Sequence, residues 1–410
     1  MATGNETPWA VPLSGRDRHE EHRSSTPLEL FFDLTFVVAI AAAAGNLHHG
    51  LAEAHWSNLG GYLVVFWAIW WAWMNFTWFA SAYDTNDVLF RALTLVQMAG
   101  VLVLAAGVPR ALNEGDYDVV VLGYAMMRVA MVVFWLRAAR GHAERRTTCL
   151  TYAVGIAVLQ LLWIARLLSG GWGGVVSLGI LIVGELLVPI LAERHGATPW
   201  HPGHIVERYG LMTIIVLGEV LLATSAAIAA ALDEHGLTPS LAATVVGGLL
   251  VVFCLWWFYF KHSYEERLAE EESESPFIWG YGHYVMYASV AAVGAGLGVA
   301  IDVVEHTAPV ASRSAGLTLA VPIALYLVTL GVLHAKDAGD YKTLVRAVAI
   351  STVVLAIGLA GWEMGLTVLL IGVALVLGLV EYLVFDRDPG ALHENEARAA
   401  RGESVENMHG

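Results

Sequence analysis

The residues whose side chains could most readily do chemistry are ionisable residues inside long apolar segments. They are Asp33, Arg128, Glu185, Glu219 and His283. A charged side chain near the bilayer centre costs about 2.5–3.5 kcal/mol on insertion scales, so it faces the protein interior and has a partner or a function. We predict that they lie along an ion or substrate path. The alternative is that Arg128 pairs with Glu185 or Glu219 only to clamp helices together.

Two further acids stand near the start of the first apolar segment. Glu29 and Asp33 are four residues apart, so both carboxylates project from one face of a helix. The two acids could bind a cation, or they could equally form ion pairs with Arg91 or Arg208. Glu29 could also stabilise the start of the helix, where the helix dipole is positive. Glu207 repeats the position of Glu29 and shares its alternatives, so we add Glu29 and Glu207 to the predicted path.

The histidines allow two interpretations each. His283 can relay a proton at physiological pH, or it can be a hydrogen-bonded core residue. His201, His204 and Glu207 are spaced by threes, as zinc ligands can be, but Pro202 favours a capped turn that enters a helix. We therefore predict no metal site.

Enzyme chemistry has little support in the sequence. A clustered nucleophile, or paired acids beside a glycine-rich phosphate loop, would indicate it, and neither pattern stands out. Cys149 and Cys254 are isolated and fit packing positions. We predict no catalytic residue and no cofactor, so the chain is more consistent with a protein that is not an enzyme.

Aromatic residues form two runs, one around Trp70 and Trp71 and one around Trp256 and Trp257. Aromatic rings favour both bilayer interfaces, so a belt plus packing accounts for most of them. Inward members such as Trp71 and Trp257 also fit a cation–π or hydrophobic wall for a substrate.

The elements that position these residues must lie in lipid. The chain is 57% hydrophobic and 14% charged, with mean hydropathy +0.61, whereas soluble chains are about half apolar and about a quarter charged. The net charge of −15 comes mostly from tails and loops, so we expect a lipid bilayer and no nucleic acid as partner.

Twelve segments are long and apolar enough to span a bilayer. They are 29–48, 59–82, 89–109, 117–138, 149–169, 173–193, 204–232, 238–261, 277–301, 314–335, 343–361 and 365–385.

Lysine and arginine set the orientation, because loops rich in these residues stay in the cytoplasm. With the N-terminus inside, eighteen of them fall on the cytoplasmic side and three outside, Arg110, Arg166 and Arg313. We predict a multi-pass protein of a bacterial inner (plasma) membrane with both termini in the cytoplasm.

An internal repeat divides the chain into two parallel six-helix units. Glu29 matches Glu207, Gln97 matches His283, and Glu185 matches Glu381, in the same order along the chain. We predict a cytoplasmic tail at 1–27, repeat one at 28–196, repeat two at 197–387 and a second cytoplasmic tail at 388–410. In this alignment Asp33 corresponds to Leu211, and Glu219 corresponds to Ala41. We favour these two acids for function because the other repeat has no acid at the matching position.

Two segments carry a family resemblance. Residues 29–37, ELFFDLTFV, and 207–219, ERYGLMTIIVLGE, resemble the bacterial low temperature requirement protein A family over nearly the whole chain. The pattern of Phe31, Asp33 and Phe36 also resembles the first helix of six-helix repeats in lysosomal and bacterial potassium or proton channels. That resemblance implies a homodimer. Those channels have Ser where this chain has Phe32, and the second repeat has Leu211 in place of the acid, so ion selectivity does not transfer.

The predicted function is a transporter or channel for an ion, such as a proton or another cation, or for a small solute. The path would run through the interface between the six-helix halves. The alternatives are a membrane enzyme acting on a lipid or isoprenoid, and a structural or sensory membrane protein needed at low temperature.

Overall fold

The described residues form twelve long helices in a computed structural model. The structure describes residues 8–385 except 19, 21–22, 172, 262–274 and 339–340, so the predicted C-terminal tail at 388–410 lies outside the described residues. The helices are α1 Pro27–Ala52, α2 Asn58–Tyr83, α3 Val88–Glu114, α4 Asp118–Gly141, α5 Arg146–Leu168, α6 Gly174–Glu193, α7 Pro202–His235, α8 Pro239–Phe260, α9 Ser275–Val304, α10 Ser312–Ala338, α11 Tyr341–Ala360 and α12 Met364–Phe385.

All twelve helices are long and apolar enough to cross a membrane, and the described residues contain no strand. Each predicted window overlaps one helix. The all-α polytopic fold class is therefore confirmed. The predicted windows 343–361 and 365–385 are two separate helices in the structure. Helix α11 ends at Ala360, and Gly361 turns the chain with φ +69° before α12 begins.

Polar residues start several helices where the chain enters the apolar region. Thr26 and Glu29 form a reciprocal capping box at α1, which satisfies two backbone N–H groups. Asp87 caps α3 through the N–H of Phe90, and Thr238 caps α8. Buried or lipid-facing helix ends need such partners because no water is available to bind the free N–H groups.

The two sequence halves, α1–α6 and α7–α12, meet along α1, α2, α7 and α9. The spans of α2 and α9 are 78% buried, so these two helices form the centre of the bundle. Within each half the first helix packs on the third, the third on the fourth, the fourth on the fifth and the fifth on the sixth. This shared order is compatible with the repeat, which stays a prediction.

The described residues of 8–26, here called the N-terminal strap, cross the face of the bundle where α1 begins. We call this the N-terminal face. The backbone N–H of Val88 donates to Pro8, and buried Leu13 lies against Gly141, where a side chain on the glycine would collide with it. The N–H of Arg16 donates to the carbonyl of Ala82. The sequence predicts a cytoplasmic tail here, and the structure shows that much of it packs on the helix ends.

We predict that Gly123→Ala lowers the apparent melting temperature in detergent, because α3 and α4 cross at this residue. A Cβ at Gly123 would lie 2.5 Å from the carbonyl oxygen of Gly100, and overpacking of this kind costs about 1–3 kcal/mol. Gly45→Ala is the matched control, since nothing lies within 4 Å of its Cβ position. Equal melting temperatures for the two variants would contradict the close crossing.

Candidate functional site

A charge network joins α1 to α7 near the N-terminal face. We define the α1–α7 network as Glu29, Asp33, His204 and Arg208. Arg208 donates to Asp33 through Nε at 2.9 Å and Nη2 at 2.5 Å, and its Nη1 lies 2.9 Å from Oε1 of Glu29. The same Glu29 oxygen is 3.2 Å from Nε2 of His204, and all four side chains are fully buried. Of the two predicted partners for these acids, Arg208 is the one used, while Arg91 binds Asn86.

A second buried pair lies inside the first half. Arg128 of α4 donates to Glu185 of α6 at 2.5 Å, which confirms the expected Arg–Glu pair. Glu185 also accepts from the indole N–H of Trp71 at 3.1 Å and from the hydroxyl of Tyr124 at 3.2 Å. Nε and Nη1 of Arg128 have no hydrogen-bond partner among the described residues. The carboxylate is thus well satisfied, whereas the guanidinium keeps free donors.

Three other predicted residues lie in separate surroundings. His283 has both ring nitrogens engaged, with Nδ1 2.7 Å from the carbonyl of Trp279 and Nε2 3.0 Å from the hydroxyl of Tyr259. Glu207 accepts from the backbone N–H of Ser25. Glu219 is buried, and its Oε2 has no hydrogen-bond partner among the described residues. The predicted path residues therefore do not converge on one point, and their roles stay predictions.

The His201 side chain caps the start of α7. Nδ1 of His201 accepts from the N–H of His204 at 3.2 Å, with Pro202 in the first turn, which confirms the capped-turn interpretation. Over the described parts of the chain, no group of three or more His, Cys, Asp or Glu side chains is placed to hold a metal ion.

A cavity of about 450 Å³ opens near the N-terminal face between α2, α4, α5, α6 and α9. This volume lies in the range of small-molecule sites, about 300–1,000 Å³. Six aromatic side chains contribute to its wall: Trp78, Trp135, Tyr152, Trp200, Phe277 and Tyr281. Helix α9 belongs to the second half of the chain and the other helices to the first, so the cavity lies where the halves meet.

Polar groups stand at both ends of the cavity. Near the mouth, Glu193 accepts from the hydroxyl of Tyr152 at 2.8 Å and from the N–H of Thr198 at 2.7 Å. At the inner end, the Asn75 amide donates to the carbonyl of Trp71, and the Tyr281 ring lies 5.7 Å from the Trp71 ring. Trp71 thus separates the cavity from Glu185, and solvent does not reach the ion pair in this conformation.

The sequence indicates the buried charges but not the cavity. Trp78 of the aromatic run on α2 lines the cavity, whereas Trp71 and Trp257, the two residues considered for a substrate wall, do not. The remaining wall comes from distant segments, including Trp135 and Phe277, and no spacing in the sequence relates these residues.

We predict that Arg128→Met destabilises the protein strongly, because it leaves the Glu185 carboxylate buried without a cation. Removal of one partner of a buried pair costs about 3–5 kcal/mol. The double variant Arg128→Met/Glu185→Gln should recover part of the lost melting temperature. Arg110→Met is the control, since the Arg110–Asp116 pair is solvent-exposed and such pairs contribute at most about 1 kcal/mol. Losses that simply add in the double variant would exclude the clamp.

Two carboxyl groups between α2 and α3 differ in their surroundings. Burial raises the pKa of Asp84 to about 6, and the charge of Glu29 acts in the same direction. Burial alone would also raise the pKa of Asp87. However, hydrogen bonds from the N–H groups of Phe90 and Val11 and from Arg137 outweigh it and lower this pKa.

We predict opposite effects of asparagine at these two positions. The folded state holds the Asp84 proton more tightly than the unfolded state, so the stability contribution of Asp84 falls as pH rises from the ordinary aspartate pKa of 3.8 to the raised pKa of about 6. Asp84→Asn should therefore raise the melting temperature more at pH 7.5 than at pH 5. The Asp87 carboxylate stabilises the fold above its unfolded pKa, so Asp87→Asn should lower the melting temperature at both pH values. A pH-independent effect of Asp84→Asn would contradict this assignment.

Comparison with known proteins assigns the family. The family model described as bacterial low temperature requirement A protein (LtrA) matches residues 24–384. An uncharacterized protein of Rhizobium meliloti (strain 1021) is 28% identical over 296 residues, which cover 68% of this chain and 69% of that protein. No solved structure matches the chain. The match spans all twelve helices and both buried ion pairs, and the chain belongs to the LtrA family of bacterial membrane proteins.

Proposed function

We propose that this protein is a transporter that moves an ion or small solute across the bacterial inner membrane, with the aromatic cavity as its substrate site. The observation that carries the proposal is the cavity itself, a space of about 450 Å³ inside a twelve-helix bundle, lined by residues of both halves. Substrate sites between halves are common in transporters.

The closed inner end of the cavity favours a transporter over an open channel. Trp71, Arg128 and Glu185 lie beyond it and are at most 1% exposed. A solute that enters from the N-terminal face therefore meets a barrier, which must rearrange before the solute can leave on the opposite side. Such a barrier is expected of alternating access, in which the two sides open in turn.

The buried charges support different parts of this scheme. Arg128 and Glu185 lie beyond Trp71, so they are the charged groups that a solute would approach after it passes the inner end of the cavity. Asp33, Glu29 and Arg208 hold α1 of the first half against α7 of the second. Glu219 is a buried carboxyl that forms no ion pair with a described residue, and it is the best candidate to exchange a coupling proton or cation.

The positive charge of the N-terminal face supports the proposal that this face lies in the cytoplasm. Arg16, Arg18, Arg137 and Arg145 all lie near this face, beside the strap and the cavity mouth. The cavity would then load or release its solute on the cytoplasmic side.

The proposal is tested by flux into proteoliposomes, with protons, Na⁺, K⁺, divalent cations and labelled organic solutes screened under imposed gradients. We expect flux of at least one solute above that of protein-free liposomes. Ala197→Trp, which fills the cavity mouth, should reduce this flux about ten-fold, because it removes space that the solute needs. Leu168→Trp places the same side chain at a site 82% exposed on α5 and should have no effect.

Two results would overturn parts of the proposal. Absence of flux for every solute and gradient would exclude transport, and unchanged flux in Ala197→Trp would remove the cavity from the path. Asp33→Asn and Glu219→Gln test the charged residues in the same assay. If both leave flux unchanged, the predicted path along these acids is wrong.

A further inference from the structure

The cavity wall has the chemistry of a cation site. The biological meaning of this inference rests on the proposed function, but its test is a binding experiment that does not require transport. Six aromatic rings contribute to the wall. The face of an aromatic ring is electron-rich and attracts a cation, and several such rings together recognise ammonium groups. Trp78 and Trp200 meet edge to face at 4.9 Å, so the two indoles present differently oriented surfaces on one side of the cavity.

The protein already places one of its own cations there. The guanidinium carbon of Arg18, in the N-terminal strap, lies 5.0 Å from the centroid of the Trp200 ring, and Arg18 is one of the residues that line the cavity. Among the described residues, Arg18 contacts the Trp200 ring and forms no ion pair. Its departure from the ring therefore breaks no salt bridge with a described residue.

The charges around the cavity are compatible with a cation. Glu193 is the acid in the wall, and its two oxygens accept from Tyr152 and Thr198, which keeps its carboxylate fixed at the mouth. Arg145 also lies near the mouth, but its Nε donates to the carbonyl of Ala197 and the side chain is partly exposed, so water screens its charge. Once Arg18 moves away, the aromatic rings and Glu193 favour a positive guest.

We propose that the cavity binds an organic cation, a substituted ammonium or guanidinium, at the position against Trp200 that Arg18 occupies in this structure. Arg18 then acts as a tethered competitor: it fills the site when the ligand is absent and leaves when the ligand binds. The apolar stem of such a ligand would contact Phe277 and Tyr281 on α9, which supply another part of the wall.

The test is equilibrium binding to the purified full chain in detergent, measured by calorimetry and thermal shift. Choline and benzyltrimethylammonium are the probes, and 3,3-dimethylbutan-1-ol is the neutral analogue of choline. We expect both cations to bind at least about ten-fold more tightly than the alcohol, as expected of a cation–π site. Arg18→Gln should tighten cation binding about three- to ten-fold, because it removes the competitor.

Variants of the wall complete the test. Trp200→Leu and Glu193→Gln should each weaken cation binding, and Trp200→Phe should retain part of it. Trp256→Leu on α8 is the matched control, because this tryptophan is exposed and does not line the cavity. If Trp200→Leu lowers the melting temperature, Arg18→Gln still tests the proposal. For Arg18→Gln we expect tighter cation binding, which a loss of stability would not produce.

Several outcomes would overturn the proposal: equal binding of the alcohol, tighter binding of benzoate than of the cations, or unchanged affinity in Arg18→Gln. The result is independent of the flux assay. Cation binding without any flux would keep the ligand class and exclude transport, whereas flux of another solute without cation binding would keep transport and exclude this ligand class.

Discussion

The structure depends on one constraint, that charges buried within a membrane protein need partners. Helix α2 meets this constraint for both buried clusters, because its indole N–H groups point to carboxylates on either side. Trp73 donates to Asp33 at 2.8 Å, and Trp71 donates to Glu185 at 3.1 Å. An unpaired buried carboxylate costs several kcal/mol, so these two bonds help to fix the rotation of α2. The same rotation directs Asn75 into the cavity wall, so the charge pairs and the cavity share one helix.

The two clusters restrict motion differently. The α1–α7 network crosses between the sequence halves and is fully buried, so it holds them together near the N-terminal face. On the opposite face, the contact between the halves includes His48 of α1 and Asp302 of α9, which lie 2.7 Å apart but are 21% and 28% exposed. A partly exposed pair is screened by water more than a buried one that keeps both partners. The ion pairs between the halves are therefore stronger near the N-terminal face than on the opposite face.

Local chemistry made the helices predictable, whereas the site required contacts that sequence cannot place. Hydropathy located all twelve spans, and the cost of a lone charge in lipid predicted that Arg128 would pair with an acid. The partner of Asp33 was one of two arginines, and its selection depends on a contact across 175 positions. Arg18 counted only as one more positive charge for orientation. Its contact with Trp200 arises because the strap folds back over the N-terminal face, and neither periodicity nor spacing encodes that path.

The buried acids also differ in what a change of charge would cost. Glu185 lies beside Arg128, which stays protonated, so protonation of Glu185 would leave a buried cation uncompensated. Arg208 has two acids, Asp33 and Glu29, so protonation of one leaves it paired with the other. Glu219 forms no ion pair with a described residue, so its protonation removes the counter-charge of no described cation. The residue next to it, Val220, packs against Gly294 of α9, with 3.2 Å between its Cγ2 and the Cβ position of the glycine. Helix α9 in turn supplies Phe277 and Tyr281 to the cavity. Glu219 and the proposed substrate site are thus connected through one helix.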